Sequence, residues 1–276
     1  MAASELNTIP HISVVMAVYN GEQSLPATLD SVLGQQDVML ELIVINDGST
    51  DKSAKVLQEY RQKDARLRVI EQKNQGLTQA LIQGCALAQG EFIARHDVGD
   101  VSLPIRFSKQ SEILQRNDSV VLVGCNYTLM TPANEIMIER QKNLGSTKMQ
   151  ATLRGLENEL YGPHHGTVMF RKKAYEKVGG YRADFYYAQD LDLWIRLVEQ
   201  GEISMVDDVL AEIEFSANSL SGRYRREQQL LKSLIVEAAE ARRAGLPEAD
   251  VLERARLIRP GAVTRPSALN SSEVDN

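Results

Sequence analysis

Ile12-Ser13-Val14-Val15-Met16-Ala17-Val18, followed at once by Tyr19-Asn20-Gly21, is the stretch on which the fold turns. An apolar, partly β-branched run of this length makes a buried strand, and it breaks where turn chemistry takes over. Behind it Leu25, Leu29, Val32 and Leu33 recur at helical spacing. Residues 42–45 then give a second apolar run that ends at Asn46-Asp47-Gly48. The order repeats: Ala54, Leu57 and Tyr60 mark a helix, 67–70 a short strand, 77–88 a helix and 91–94 a fourth strand.

Strands alternating with helices predict right-handed βαβ units, and hence an α/β fold with a mostly parallel central sheet flanked by helices. In such sheets ligands sit beyond the carboxyl ends of the strands, where loops gather and helix N-termini point. Tyr19, Asn20, Asp47 and Asp97 each fall just after an expected strand, so residues distant in sequence share one rim. From Pro104 the pattern changes to a helix over 106–115, a strand over 120–125 and a mixed region with strands near 167–170 and 209–215. A helix then runs over about 224–244, with Leu230, Leu231, Leu234, Ile235 and Ala238 on one face and Arg225, Arg226, Lys232, Arg242 and Arg243 elsewhere. Residues 261–276, rich in Ser, Pro and Asn, read as a flexible tail.

Composition removes several function classes. At 276 residues and 43% hydrophobic the chain buries a substantial core, while a net charge of −6 supplies no field for nucleic acid. Cys85 and Cys125 lie in apolar stretches without metal-ligand spacing and read as buried, reduced thiols. The opening residues show no basic region followed by an apolar one, and no stretch of about 18 apolar residues runs without a charge. The expected location is the cytoplasm. The basic helix after Tyr224 is most simply a solvated face; its second reading is peripheral contact with anionic lipid at the inner face of the membrane.

Val14-Val15-Met16-Ala17-Val18-Tyr19-Asn20 and Ile43-Val44-Ile45-Asn46-Asp47-Gly48-Ser49-Thr50-Asp51 together resemble the opening of family 2 glycosyltransferases of the GT-A, Rossmann-like fold. Asn74-Gln75-Gly76, the segment from Gly90 to Asp100, Leu103-Pro104-Ile105-Arg106-Phe107, His165 to Arg171, Val178-Gly179-Gly180-Tyr181 and Gln189-Asp190-Leu191-Asp192-Leu193-Trp194 follow in the family's order. The resemblance covers about 12–215. It implies a GT-A domain over 12–222, with a nucleotide-sugar-binding half at 12–103 and an acceptor half at 104–222. A tail at 1–11 precedes it, and a C-terminal helical extension at 223–260 follows.

The family reaction needs stabilisation of a leaving nucleoside diphosphate and a base for the acceptor hydroxyl. From turn chemistry alone Asp47 shapes an Asx-type turn with Gly48 and caps the next helix; the resemblance implies that it accepts a hydrogen bond from the nucleobase. Tyr19 is a candidate for the face of the base, with Asn20 and Gly76 on the same rim. The family usually carries Asp-x-Asp-Asp at 97–100, where the third position ligates Mg²⁺ or Mn²⁺ on the donor diphosphate. Here that position is Gly99; the resemblance leaves Asp97 near the ribose or the metal and Asp100 as a ligand that the glycine lets swing in, the alternative being a weakly bound ion or Arg95 and His96 neutralising phosphate instead. His165 matches a family position near the diphosphate or acceptor, whereas adjacent His164 adds no zinc-like spacing. Asp190 opens an apolar helix, where capping alone explains a carboxylate; the resemblance makes it the base of an inverting displacement. Gln189 replaces the family glutamate, Asp192 reads as a supporting residue and Trp194 as core.

These assignments imply transfer of a sugar from a nucleoside-diphosphate donor, UDP being the prior, to a carbohydrate or lipid-linked acceptor in cell-surface polysaccharide or glycolipid assembly. A nicotinamide dehydrogenase would need Gly-x-Gly-x-x-Gly after the first strand, and Tyr19-Asn20-Gly21-Glu22-Gln23 is not that. The competing reading, motivated by Gly99 and Gln189, is a non-catalytic nucleotide-sugar-binding homologue or pathway scaffold.

Overall fold

A computed structural model describes residues 11–133, 135–141, 145–155, 160–215 and 223–260. The expected tails at 1–11 and 261–276, except His11, lie outside these residues. The first half is strand and helix in strict alternation: β1 (Ile12–Val18), α1 (Leu25–Leu33), β2 (Leu40–Asp47), α2 (Ser53–Lys63), β3 (Leu67–Gln72), α3 (Leu77–Ala86) and β4 (Phe92–Arg95). All four strands pair in parallel in the order β3-β2-β1-β4. Their apolar runs are near-continuous because both faces are covered, and the period of two splits them cleanly. Val14, Met16, Val18, Leu42, Val44, Phe92 and Ala94 join one core with Leu25 and Leu29 of α1 and Leu57 of α2, while Val15, Ile43, Ile45 and Ile93 join the other beneath α3.

The second half contains β5 (Val101–Ser102), α4 (Arg106–Arg116), β6 (Val120–Met130), β7 (Ile136–Gln141), α5 (Ser146–Leu153), β8 (Met169–Arg171), α6 (Lys172–Lys177), α7 (Gln189–Val198) and β9 (Glu202–Glu214). It extends the sheet through β8, β6, β9 and β5, with β7 paired to β6. Strands β1 to β4, β6 and β9 share one direction; β5, β7 and β8 run against them. The sheet is therefore mostly parallel, as the alternation predicts. Two helices close the description, α8 (Arg225–Arg243) and α9 (Ala249–Arg256).

Three differences from the sequence reading have physical causes. The strand expected at 167–170 starts later, because His165–Thr167 forms a 3-10 turn before β8. The strand expected at 209–215 begins at Glu202 and runs through Asp207-Asp208 by a shift of register, where Asn126 Nδ2 donates to the Asp207 carbonyl at 2.8 Å. The C-terminal helix buries its expected apolar face, with Leu231, Ile235, Ala238 and Ala239 in the α7 core, but its last arginines are not a free solvated surface. Arg242 and Arg243 pair with Glu199, and Arg242 also with Glu248.

Candidate active site

Between β1 and β4 the strand order reverses, since β2 and β3 lie to one side of β1 and β4 to the other. The loops leaving β1 and β4 therefore part at their carboxyl ends and open a crevice. On the β1 side Asn20 takes φ +55°, its backbone N–H donates to Ser49 Oγ at 3.0 Å, and its Oδ1 accepts from the Thr50 backbone N–H at 2.7 Å. Tyr19 projects from this turn and is 55% exposed.

Asp47, at the end of β2, does not cap a helix. Its Oδ1 accepts from the Gln75 backbone N–H (2.8 Å) and Gln72 Nε2 (2.5 Å), and its Oδ2 from the Gly76 backbone N–H (2.8 Å). The carboxylate thus pins the 74–76 loop to the sheet. Gly76 sits at φ +86°, and a Cβ there would lie 2.5 Å from the Tyr186 hydroxyl, so only glycine fits. Tyr19, Asn20, Asp47 and Gly76 form one rim, and Leu77, the next residue, already lines the adjoining cleft.

That cleft has a volume of about 630 Å³ and brings together Asp97, Asp100, His164, His165, Gln189, Asp190, Glu214 and Lys232. A larger hollow of about 1120 Å³, lined by His11, Gln89, Glu91 and Lys172, lies at the amino-terminal ends of β1 and β4 and contains none of these groups. Helix α1 fixes the acidic loop: Thr28 Oγ1 donates to the Asp100 carbonyl and accepts from the Gly99 N–H, both at 3.0 Å. Asp97 and Asp100 converge over Gly166, where a Cβ would stand 3.1 Å from Asp97 Oδ2 and 2.6 Å from Asp100 Oδ2.

The two carboxyls differ in charge. Burial raises the pKa of Asp97, but the adjacent Arg95 guanidinium more than reverses this and brings it to about 2. Burial, reinforced by ionised Asp97, pushes Asp100 well above the usual carboxylate range. Arg95 is only 1% exposed and pairs with Asp97 beneath the cleft, outside its lining. It does not reach into the cleft toward a diphosphate; it keeps Asp97 ionised.

His96 is not the expected phosphate-neutralising cation either. It is fully buried, with its pKa brought to about 3 by burial and by Arg106. Its Nδ1 lies 2.8 Å from the Asp97 carbonyl and must donate to it, so Nε2 accepts from Ser102 Oγ at 2.9 Å. His165 Nε2 lies 2.8 Å from the Tyr181 hydroxyl, with its ring edge-on to Trp194, and burial and Arg95 hold its pKa well below normal. His164 turns the other way, against Tyr127.

Asp190 occupies the first turn of α7, where Oδ1 accepts from the Leu191 N–H at 2.9 Å. Burial raises its pKa against that bond, Asp97 in the same cleft raises it further, and Lys232 lowers it. Asp192, two residues on, is instead buried between Arg182 and Arg196 and serves the fold. Sequence reading put Lys232 on a solvated face and singled out neither Gln228 nor Glu214, yet all three line the cleft; Lys232 and Gln228 come from one helix. They sit four apart on α8, flanking buried Leu231, and their approach depends on how α8 docks against α7.

The donor set suits a hard divalent cation: Asp100 Oδ2 is buried without a hydrogen-bond partner, faces Asp97 Oδ2, and only a glycine at 166 leaves the space between them. Among the described residues no three acidic, histidine or cysteine side chains meet at ligand distance.

The model for glycosyl transferase family 2 matches residues 13–179, which carry the rim and the cleft aspartates Asp97 and Asp100. The chain belongs to this family. Among curated relatives of this family 2 glycosyltransferase, the putative glycosyltransferase EpsE of Bacillus subtilis is 32% identical over 71% of the chain and 69% of the relative. The O-antigen biosynthesis glycosyltransferase WbnJ of Escherichia coli is 32% identical over 71% and 74%. Among solved structures, S. aureus TarS 1-349 in complex with UDP superposes with a TM-score of 0.66 at 18% identity, covering 89% of this chain and 69% of that one. The mannosyltransferase PcManGT of Pyrobaculum calidifontis, in complex with GDP-Man and Mn²⁺, gives 0.64 at 18%, covering 91% and 70%. These likenesses show the GT-A fold. Among the described residues no helix is long and apolar enough to cross a membrane.

Proposed function

We propose that this glycosyltransferase transfers a sugar, with inversion, from a UDP-sugar to a hydroxyl of a carbohydrate acceptor in cell-surface polysaccharide or glycolipid assembly. The observation that carries the reading is the gathering of Asp190 with the Asp97–Asp100 pair in one cleft, near enough for the charge of Asp97 to raise the pKa of Asp190. Asp190 takes the acceptor proton as the hydroxyl oxygen bonds to the anomeric carbon. On the opposite face the carbon–oxygen bond to the diphosphate breaks, and the nucleoside diphosphate leaves with that electron pair. A raised pKa makes Asp190 a stronger base than an exposed carboxylate, at the cost of protonation at higher pH.

In this reading Tyr19, Asn20, Asp47 and Gly76 receive the nucleoside, and His165 lines the passage to the anomeric carbon. Asp97 and Asp100 hold Mg²⁺ or Mn²⁺, which when bound supplies positive charge to the leaving diphosphate. Support for UDP comes from the solved UDP and UDP-GlcNAc complexes of S. aureus TarS, and for the pathway from the O-antigen name of the E. coli relative. The division into a GT-A domain at 12–222 and a helical segment at 223–260 belongs to the same proposal, with Lys232 as the segment's contribution to the cleft. A lipid-linked acceptor would approach past α8, whose Arg225 and Arg226 are free of the Glu199 and Glu248 pairs.

Gly99 and Gln189 favour the second reading, binding without turnover. Both are tested by incubating the chain with UDP-, dTDP- and GDP-sugars plus Mn²⁺, Mg²⁺ or EDTA, and measuring released nucleoside diphosphate for wild type and Asp190→Asn. Release from one donor that the mutant loses supports transfer. Tight binding of one donor with no release, even when candidate carbohydrate acceptors are added, supports the non-catalytic reading.

A further inference from the structure

We propose that Glu214, at the end of β9, supplies the carboxylate that Gly99 does not carry, and completes with Asp97 and Asp100 a divalent-cation site for the donor diphosphate. The inference rests on the reading of Asp97 and Asp100 as cation-holding residues.

Gly99 is not a simple deletion of a side chain. Its φ of +100° is a conformation that L residues rarely adopt, so the loop has committed to glycine. A Cβ built there would stand 3.3 Å from Glu214 Oε2 and 3.6 Å from Glu214 Cβ and Cδ. The Glu214 side chain therefore lies along the space into which a side chain at 99 would start. Sheet register puts it there: β9 runs antiparallel to β5 with Glu212 opposite Val101, so two residues on it passes the acidic loop.

The contact is also wired. The Glu214 backbone N–H donates to Asp100 Oδ1 at 3.3 Å, which commits one oxygen of Asp100 and leaves buried Oδ2 facing Asp97 with no partner. Arg95 pairs with Asp97, and no donor reaches Asp100 Oδ2. Glu214 lines the same cleft as both aspartates. Among the described residues the three carboxylates do not meet at ligand distance as they stand. The proposed ligation draws the Glu214 carboxylate toward Asp100 Oδ2 from a backbone that the N–H to Oδ1 bond holds beside it.

The test is Mn²⁺ titration in the presence of UDP, read as loss of the free-ion EPR signal, on wild type, Glu214→Gln and Asp100→Asn, with melting temperature as the check on folding. Glutamine keeps the shape and removes the charge. The expected result is Mn²⁺ binding by wild type, weakened at least about tenfold in both variants with melting unchanged. Glu214→Gln binding as wild type while Asp100→Asn fails would overturn the role of Glu214 and leave the cation at the aspartates. Wild type that binds UDP but no Mn²⁺ would overturn both. If Glu214→Gln melts early, Glu214→Asp decides: unweakened Mn²⁺ affinity in this folded, shorter carboxylate argues against ligation at the longer reach.

Discussion

Gly166→Ala adds one methyl group at the point where Asp97 and Asp100 meet. The new Cβ would fall 2.6 Å from Asp100 Oδ2 and 3.1 Å from Asp97 Oδ2, whereas ordinary contact begins near 3.4 Å, so the Asp100 oxygen must retreat by about 0.8 Å. It has little freedom to do so, because its other oxygen accepts from Glu214 and its carbonyl from Thr28. A displacement approaching 1 Å costs on the order of 10²-fold in rate where geometry sets the barrier, about 2.7 kcal/mol. Overpacking itself costs about 1–3 kcal/mol of stability, a melting shift of several degrees at this chain length. Initial rates of donor turnover and thermal melting separate the two effects. Gly145→Ala is the control, since nothing lies within 4 Å of its Cβ and its φ of −57° suits alanine. A Gly166→Ala protein that melts early yet turns over its donor at the wild-type rate would refute the placement of these carboxylates at the reacting centre.

Asp190→Asn should lower kcat by about 10²–10⁴-fold without changing donor affinity. In the wild type, kcat should fall as pH drops through a pKa above the ordinary carboxylate range, because burial raises it and only the ionised form accepts the proton; a rate flat down to about pH 4 would exclude this base. Lys232→Ala removes a cation that favours ionised Asp190, so the acid limb of that profile should move to higher pH, and an unmoved limb would detach α8 from the site. Asp192→Ala leaves Arg182 and Arg196 without their shared buried partner and should cost about 3–5 kcal/mol in urea denaturation, and a near-neutral value would show that Glu248 holds Arg182 unaided.

The parallel half of the fold is legible because its strands are covered on both faces: apolar runs at 12–18 and 42–45 end in turn residues, and those ends become the rim. The second half is harder to read. β5 spans only Val101–Ser102, too short for any period, and β9 carries Asp207-Asp208 in mid-strand, which breaks the apolar pattern while a register shift preserves the pairing. α9 spans only Ala249–Arg256 and buries just Val251 and Ala255, too few positions to mark a face. Asp190 and Asp97 are found from strand ends and motif order, since each depends on its own local chain. Lys232 is not, because its place depends on α8 docking against α7.

Arg95 and His96 show where residue type misleads. Both stand next to Asp97 in sequence and read as cations for a phosphate, yet position on a strand decides their direction before charge does. Arg95 is the last residue of β4 and shares its face with Ile93, so it points into the α3 side of the core, where its charge meets Asp97 from below. His96 points the opposite way, into the Ser102–Arg106 network, where burial beside a guanidinium keeps it neutral. Among the described residues the crevice lining carries Asp97, Asp100, Asp190 and Glu214, with Lys232 as its exposed lysine. On the proposed reading the negative charge of a donor diphosphate meets ionised Asp97 there, a repulsion that a divalent ion would offset. In the proposed function a divalent ion held by Asp97, Asp100 and Glu214 resolves that conflict, and the spacing of those carboxylates, rather than any basic side chain, governs donor binding.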